Sequence, residues 1–195
     1  TRVVMLRTMA DAEVAGVKPA AYWNALASNS GSKGSLKLSD GSTSTASATW
    51  NAQSSSTSPA IWWVGYPDAA GDVRMMNGYL DVVSSSPPGT VTVSNLPAAL
   101  TSGGYDVYVY CTGGVFTGTR GYTYAIGGVS YTISQTGPPP TQFSGYVLAA
   151  PDVPGNYIVF RGVTGTSFTL TATPASGTTR RAPVNGLQIV WPPGM

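Results

Sequence analysis

The feature that most constrains this chain is a succession of short segments in which apolar and polar residues alternate, separated by turns rich in Gly, Pro, Ser and Asp. Such alternation places one side of an extended strand against a core and the other toward solvent. Helical periodicity is confined to residues 10–27, where Gly16 and Pro19 limit any helix to a turn or two. The pattern predicts an all-β fold of two packed antiparallel sheets. The predicted strands are residues 2–8, 35–39, 44–50, 61–64, 73–83, 90–96, 105–111, 121–126, 129–134, 157–163, 167–173 and 187–191.

Several segments also indicate which residues face the core. In residues 105–111, tyrosines alternate with valines, so either both faces of this strand are covered or one is an aromatic platform. Gly127 and Gly128 lie between two strands and predict a tight hairpin, because glycine adopts the positive φ that a two-residue turn requires. In residues 90–96 and 167–173, the inward positions are Val91, Val93, Leu96, Phe168, Leu170 and Ala172.

The length and the charge suit one domain spanning residues 1–195. No long linker divides the 195 residues, and only 9% of them are charged, with a net charge of +2. No basic cluster suits nucleic acid, and no apolar run approaches the roughly 20 residues of a membrane span. The first residues lack the pattern of a secretory leader, which suggests a mature product or a fragment. The charge-poor, hydroxyl-rich composition favours a secreted, extracellular protein.

The composition also argues against catalysis. The chain has no histidine and a single cysteine, Cys111, whose setting in an apolar strand predicts an inert buried thiol. Histidine-activated nucleophiles and zinc sites are therefore excluded. A carboxylate pair could still hydrolyse a glycosidic bond, and Asp68 and Asp72 are the one close pair on a plausible loop. Turn chemistry or calcium ligation accounts for these two aspartates more simply, so we expect no enzyme.

A family resemblance accumulates along the chain. It is carried by YWN at 22–24, LSDG at 38–41, MMNGYLD at 75–81, YDVYVY at 105–110, GNYIVF at 155–160 and APVNGLQIV at 182–190. This order resembles the galactose-binding-like jelly-roll domains that serve as accessory modules of large secreted bacterial proteins, and more distantly the malectin-type sugar binders. The resemblance implies a jelly-roll β-sandwich whose sugar site lies in loops at one edge or on a concave face.

The strongest candidate for a binding surface is the segment IWWVGYPD at residues 61–68. Sugar rings present apolar faces to aromatic side chains and hydroxyls to planar polar groups. Adjacent tryptophans on a strand face opposite ways, so at most one of Trp62 and Trp63 belongs to the core. We therefore predict Trp62 or Trp63, with Tyr66, as the stacking surface; burial of both indoles between a sheet and a covering loop is the alternative. The hydroxyl partners would be Asp68, Asp72 and Arg74.

A second candidate lies on the predicted strand at residues 121–126. Arg120, Tyr122 and Tyr124 share one face and could form a platform for a polysaccharide, although cross-strand packing explains the same pattern. Asp40, Asp68 and Asp72 are weak candidates for a structural calcium site. The leading functional hypothesis is a non-catalytic module that binds carbohydrate and is tethered to other domains in a larger parent protein, either an enzyme or a surface protein. The alternative is a structural or adhesive β-sandwich unit without glycan specificity.

Overall fold

The computed structural model describes most of the chain. The described residues are 2–5, 8–53, 61–98, 101–114, 117–138, 140–150, 153–176 and 181–191, and the side chains of residues 2–5, 61, 62, 175 and 176 lie outside the description. The strands are β1 (Arg2–Met5), β2 (Asn24–Leu26), β3 (Ser30–Lys33), β4 (Ser47–Asn51), β5 (Ile61–Trp63), β6 (Gly78–Val82), β7 (Gly89–Ser94), β8 (Tyr105–Tyr110), β9 (Thr119–Ile126), β10 (Val129–Thr136), β11 (Tyr157–Val163), β12 (Phe168–Ser176), β13 (Ala182–Val184) and β14 (Gly186–Val190). One short helix, α1 (Asp72–Asn77), precedes β6.

The strands form three sheets, and the predicted all-β class is confirmed. A six-stranded sheet has the order β10-β9-β12-β7-β4-β3, and a five-stranded sheet has the order β11-β8-β14-β1-β2. A smaller sheet has the order β13-β6-β5. All of the strand pairs are antiparallel except the pair of β1 and β2.

The main core lies between the inner faces of the six-stranded and five-stranded sheets. Val91 and Val93 of β7 and Leu170 of β12 meet Val107 and Val109 of β8 in one continuous cluster. Every inward residue predicted for the segments at 90–96 and 167–173 is buried. Cys111 is buried in the same cluster, where loss of hydration raises the pKa of its thiol well above the ordinary value.

A second apolar cluster covers the opposite face of the five-stranded sheet. Tyr108 and Tyr110 of β8 point away from the main core and pack with Met75 and Met76 of α1 and with Trp23. The hydroxyl of Tyr110 accepts a hydrogen bond from the backbone N–H of Val17, which holds the N-terminal segment against the sheet. Both faces of β8 are therefore covered, so the first of the two interpretations of residues 105–111 is correct.

Two of the predicted strands differ from the structure. The segment predicted as one strand at residues 73–83 divides into α1 and β6. The segment at residues 35–39 makes an isolated bridge between Lys37 and Thr43, while the edge strand is β3, just before it. The predicted hairpin at Gly127 and Gly128 is confirmed, since it joins β9 to β10 with Ile126 opposite Val129.

No helix among the described residues is long and apolar enough to cross a membrane.

Candidate functional site

The last residue of β5 carries an exposed indole. Trp63 lies opposite Gly78 of β6, and its side chain is 49% exposed. By contrast, the side chains of Trp23 and Trp50 are buried, and their ring nitrogens donate hydrogen bonds to the carbonyl oxygens of Ala20 and Ser28. The side chain of Trp62 lies outside the described residues. Among the tryptophans whose side chains the structure describes, Trp63 is therefore the most exposed.

Asn77 fixes the backbone that follows Trp63. The Asn77 Oδ1 atom accepts hydrogen bonds from the N–H groups of Gly65 and Tyr66, both at 3.1 Å, and its Nδ2 atom donates to the carbonyl of Tyr66 at 2.9 Å. The backbone N–H of Val64 also donates to the carbonyl of Asn77 at 2.7 Å. Because Asn77 is buried at the end of α1, this loop has a defined conformation. The sequence analysis missed this residue, although an Asn-Gly pair at 77–78 is a signal for a change of backbone direction.

Tyr66 does not belong to an exposed stacking surface, so this part of the predicted site is wrong. Its ring is buried and packs against Phe143 with the ring centroids 6.3 Å apart. Loss of hydration raises the pKa of its hydroxyl. The residue points inward because Asn77 binds the Tyr66 backbone on both its N–H and its C=O.

Asp68 and Arg74 form one ion network with Glu13. The Nη2 atom of Arg74 lies 3.0 Å from Asp68 Oδ2, and its Nη1 atom donates to Glu13. Burial raises the pKa of Glu13, but hydrogen bonds from the N–H groups of Gly71 and Ala10 and the charge of Arg74 lower it by more, so the net pKa is lowered. Hydrogen bonding to Asp68 is the main cause of a raised pKa for Arg74. The structure thus brings two of the predicted hydroxyl partners together, Asp68 on the loop that follows β5 and Arg74 on α1.

Asp72 has a different position from the one predicted. Its Oδ1 atom accepts hydrogen bonds from the backbone N–H of Gly16, at 2.8 Å, and from the hydroxyl of Tyr146. It joins α1 to the N-terminal segment. These structural partners occupy one of its two carboxylate oxygens.

The three weak calcium candidates do not form one site. Asp40 Oδ1 accepts hydrogen bonds from the N–H and the hydroxyl of Ser42, as in an ordinary turn. These bonds lower the pKa of Asp40. Asp68 pairs with Arg74, and Asp72 binds Tyr146. Within the described part of the chain, no three carboxylate, thiol or imidazole side chains are grouped as metal ligands.

The proposed platform of Arg120, Tyr122 and Tyr124 is also wrong as a surface. All three side chains face the interior from β9. The hydroxyl of Tyr124 donates to the carbonyl of Pro183 at 2.6 Å, and that of Tyr122 donates to Gln135 at 3.2 Å. The prediction that these three side chains share one face of the strand is correct, but alternation does not show which face of the strand is covered. The hydroxyl-bearing residues of β9, such as Thr123, occupy the outer face instead.

A buried charged group that the sequence did not indicate lies on β6. Asp81 of β6 is almost fully buried, and its Oδ2 atom accepts a hydrogen bond from Arg181. Its Oδ1 atom has no hydrogen-bond partner among the described residues. Loss of hydration raises the pKa of Asp81 to about 6, although the charges of Arg181 and Arg120 act in the opposite direction. No sequence motif predicts this ion pair, because Asp81 and Arg181 lie in distant parts of the chain.

An apolar cleft of about 640 Å³ opens where β10 approaches β11. Its floor includes Tyr131, Phe160 and Phe168, and the ring of Tyr131 meets that of Phe160 edge to face at 5.1 Å. Val129, at the cleft margin, is about half exposed. The sequence analysis did not identify this cleft, which depends on how two distant edge strands meet.

Comparisons with known proteins show no family. No family model matches the chain, and no curated protein matches it. Two solved structures of an exo-β-1,3-galactanase from Phanerochaete chrysosporium align weakly. One, a variant with β-1,3-galactotriose, is 14% identical and has a TM-score of 0.36; the alignment covers 83% of this chain and 27% of that one. The other, with galactose, is 16% identical with a TM-score of 0.35, covering 78% of this chain and 35% of that one. The chain therefore spans well under half the length of the galactanase chain in either structure.

Proposed function

We propose that this protein is a non-catalytic carbohydrate-binding module of a larger secreted protein, with the jelly-roll architecture of the galactose-binding-like domains that its sequence resembles. The observation that carries the proposal is the half-exposed indole of Trp63 at the end of β5, next to a loop whose backbone is fixed by Asn77. Tryptophan is usually mostly buried. An indole held in solvent by a defined backbone is suited to stacking on the apolar face of a sugar ring.

An ion pair between this loop and α1 fits this role. The carboxylate of Asp68 and the guanidinium of Arg74 are both partly exposed, and each fixes the orientation of the other. A carboxylate accepts hydrogen bonds from sugar hydroxyls, and a guanidinium donates to them. Because Asp68 lies five positions after Trp63, the Cα atoms of the two residues are at most about 18 Å apart. A ligand of a few sugar units could contact both.

The positions of the carboxylates support binding without hydrolysis. A glycosidase needs two acids that face the scissile bond. Here Asp68 is paired with Arg74, and Asp72 is bound to Tyr146 and Gly16. Each member of the predicted pair therefore has a structural partner in the protein.

The proposal is tested by affinity electrophoresis on a panel of neutral and acidic plant and bacterial polysaccharides. We expect retardation by at least one polysaccharide, and at least a tenfold loss of affinity in Trp63→Ala, since removing a central aromatic contact costs more than about 1.4 kcal/mol. Val147→Ala is the matched control, because it also truncates a half-exposed apolar side chain. Equal retardation of Trp63→Ala and the wild type, or indifference to every glycan, would contradict the proposal and favour a structural role. Release of reducing sugar that is lost in Asp68→Asn would indicate an enzyme.

A further inference from the structure

The strand β10 has an edge that differs from the other sheet edges. Strands at sheet edges expose unpaired backbone groups, and proteins normally protect them with short length, charge, proline, a bulge or a covering segment. Among the described strands, β2 and β5 have three residues each, β3 carries Lys33, and β13 contains Pro183. The remaining edge, β11, contains Arg161 and a register shift, and Leu148 bridges to its first residue.

Short length, charge, proline and a bulge, the first four of these protections, are all absent from β10. Its eight residues, VSYTISQT, contain no proline and no formal charge at neutral pH, and they pair with β9 in unbroken register. Within the described part of the chain, β9 is its one strand partner. Val129 and Ser130 are exposed at the start of the strand, beside the apolar cleft. The strand thus offers about 27 Å of uncharged edge.

We propose that β10 is the contact through which two copies of this chain associate, by antiparallel pairing of β10 with its counterpart about a two-fold axis at Thr132. In this register Thr132 lies opposite Thr132 of the second copy, Tyr131 opposite Ile133, and Ser130 opposite Ser134. Hydroxyl pairs and pairs of an aromatic with a β-branched residue are favourable across strands. A two-fold pairing of this kind uses the same surface on both copies, as in most homodimers.

The absence of charged side chains on β10 suits a second copy as the partner. Because β10 carries no ionised side chain at neutral pH, two copies meet without opposing like charges. In this pairing, the outer face of the six-stranded sheet also continues from one copy into the other, with threonine side chains on both sides of the two-fold axis. Thr132 already bonds its hydroxyl to that of Thr123 at 2.9 Å, and Thr119 and Thr136 form a similar pair at 3.1 Å, so a row of hydroxyl groups would extend into the second copy.

The size of the contact sets the strength of association. A stable interface usually buries at least about 1,200 Å² in total, and one strand pair buries less than this. Apolar side chains at the cleft margin, including Val129, would add to the contact. The association is therefore weak and depends on protein concentration.

The test is sedimentation velocity over a concentration series up to the millimolar range, on the wild type and on Thr132→Lys, Thr132→Glu and Thr49→Lys. We expect the wild type to approach twice the 20.1 kDa mass of the chain at high concentration. Each Thr132 variant sets two like charges opposite each other across the axis and should raise the dissociation constant at least tenfold. Mixing Thr132→Lys with Thr132→Glu should restore association, because opposite charges then meet.

Thr49→Lys is the matched control, since Thr49 is an exposed threonine on β4, near the other edge of the same sheet. It should associate as the wild type does. A wild-type chain that remains monomeric throughout overturns the proposal and leaves the edge to a strand of another protein. Undiminished association of Thr132→Lys, or failure of the mixture to associate, overturns the proposed register and with it the interface.

Discussion

Replacement of Asn77 by alanine tests whether the loop that presents Trp63 is held as the structure shows. The substitution removes three side-chain hydrogen bonds, those to the N–H groups of Gly65 and Tyr66 and to the carbonyl of Tyr66. At about 1 kcal/mol for each bond, the free energy of unfolding should fall by about 3 kcal/mol. Buried backbone groups left without partners could add to this loss.

Urea unfolding followed by circular dichroism measures this change. For a chain of this length, about 3 kcal/mol corresponds to a fall in Tm of about 6–12 °C. Asn51→Ala is the control: its side chain makes one exposed hydrogen bond, to the N–H of Gln53, so its effect should stay within about 0.5 kcal/mol. A loss below about 1 kcal/mol in Asn77→Ala would refute the claim that this residue fixes the loop.

Two further predictions concern the interior. The pKa of Asp81 is raised from 3.8 to about 6, so the folded state favours the protonated carboxyl. The stabilisation that the protonated Asp81 contributes is complete below about pH 4 and is lost as the pH rises through about 6. Urea unfolding should show a loss of about 3 kcal/mol between pH 4 and pH 7 that is absent in Asp81→Asn, and an identical pH profile in both proteins would contradict this. A Cβ atom at Gly89 would lie 2.3 Å from a methyl of Val82, so Gly89→Ala should destabilise the protein by about 1–3 kcal/mol in thermal unfolding. Gly128→Ala, where the Cβ would meet nothing within 4 Å, is the control, and equal Tm values for the two variants would show that Gly89 is not tightly packed.

Most of the strands could be predicted from the sequence because their alternation is strong. Residues 90–96 and 157–163 are examples, and the turn glycines between β9 and β10 marked the hairpin. The helix α1 was missed because residues 73–77 are apolar enough to read as a strand. Its conformation depends on partners far away in the chain, since Arg74 binds Glu13 and Asp72 binds Gly16 and Tyr146.

The candidate site could be predicted only in part, because periodicity shows which side chains share a face and not which face is covered. Tyr122 and Tyr124 were correctly placed together, but a sheet-to-sheet contact that the sequence does not reveal buries them. Tyr66 follows the strand by three residues, where the direction of the chain depends on Asn77. Asp81 and Arg181 are a hundred residues apart, and only the pairing of β6 with β13 brings them together.

The most direct test of the claim that Trp63 contacts the ligand is a titration monitored by ¹H–¹⁵N spectra. The indole N–H resonances are recorded while a fragment of a polysaccharide that binds the protein is added. The account predicts that the Trp63 resonance, assigned through Trp63→Phe, shifts in a saturable manner. The Trp23 and Trp50 resonances should stay in place, because their N–H groups are bonded to Ala20 and Ser28 in the interior. A fragment that binds without moving the Trp63 resonance would contradict the account.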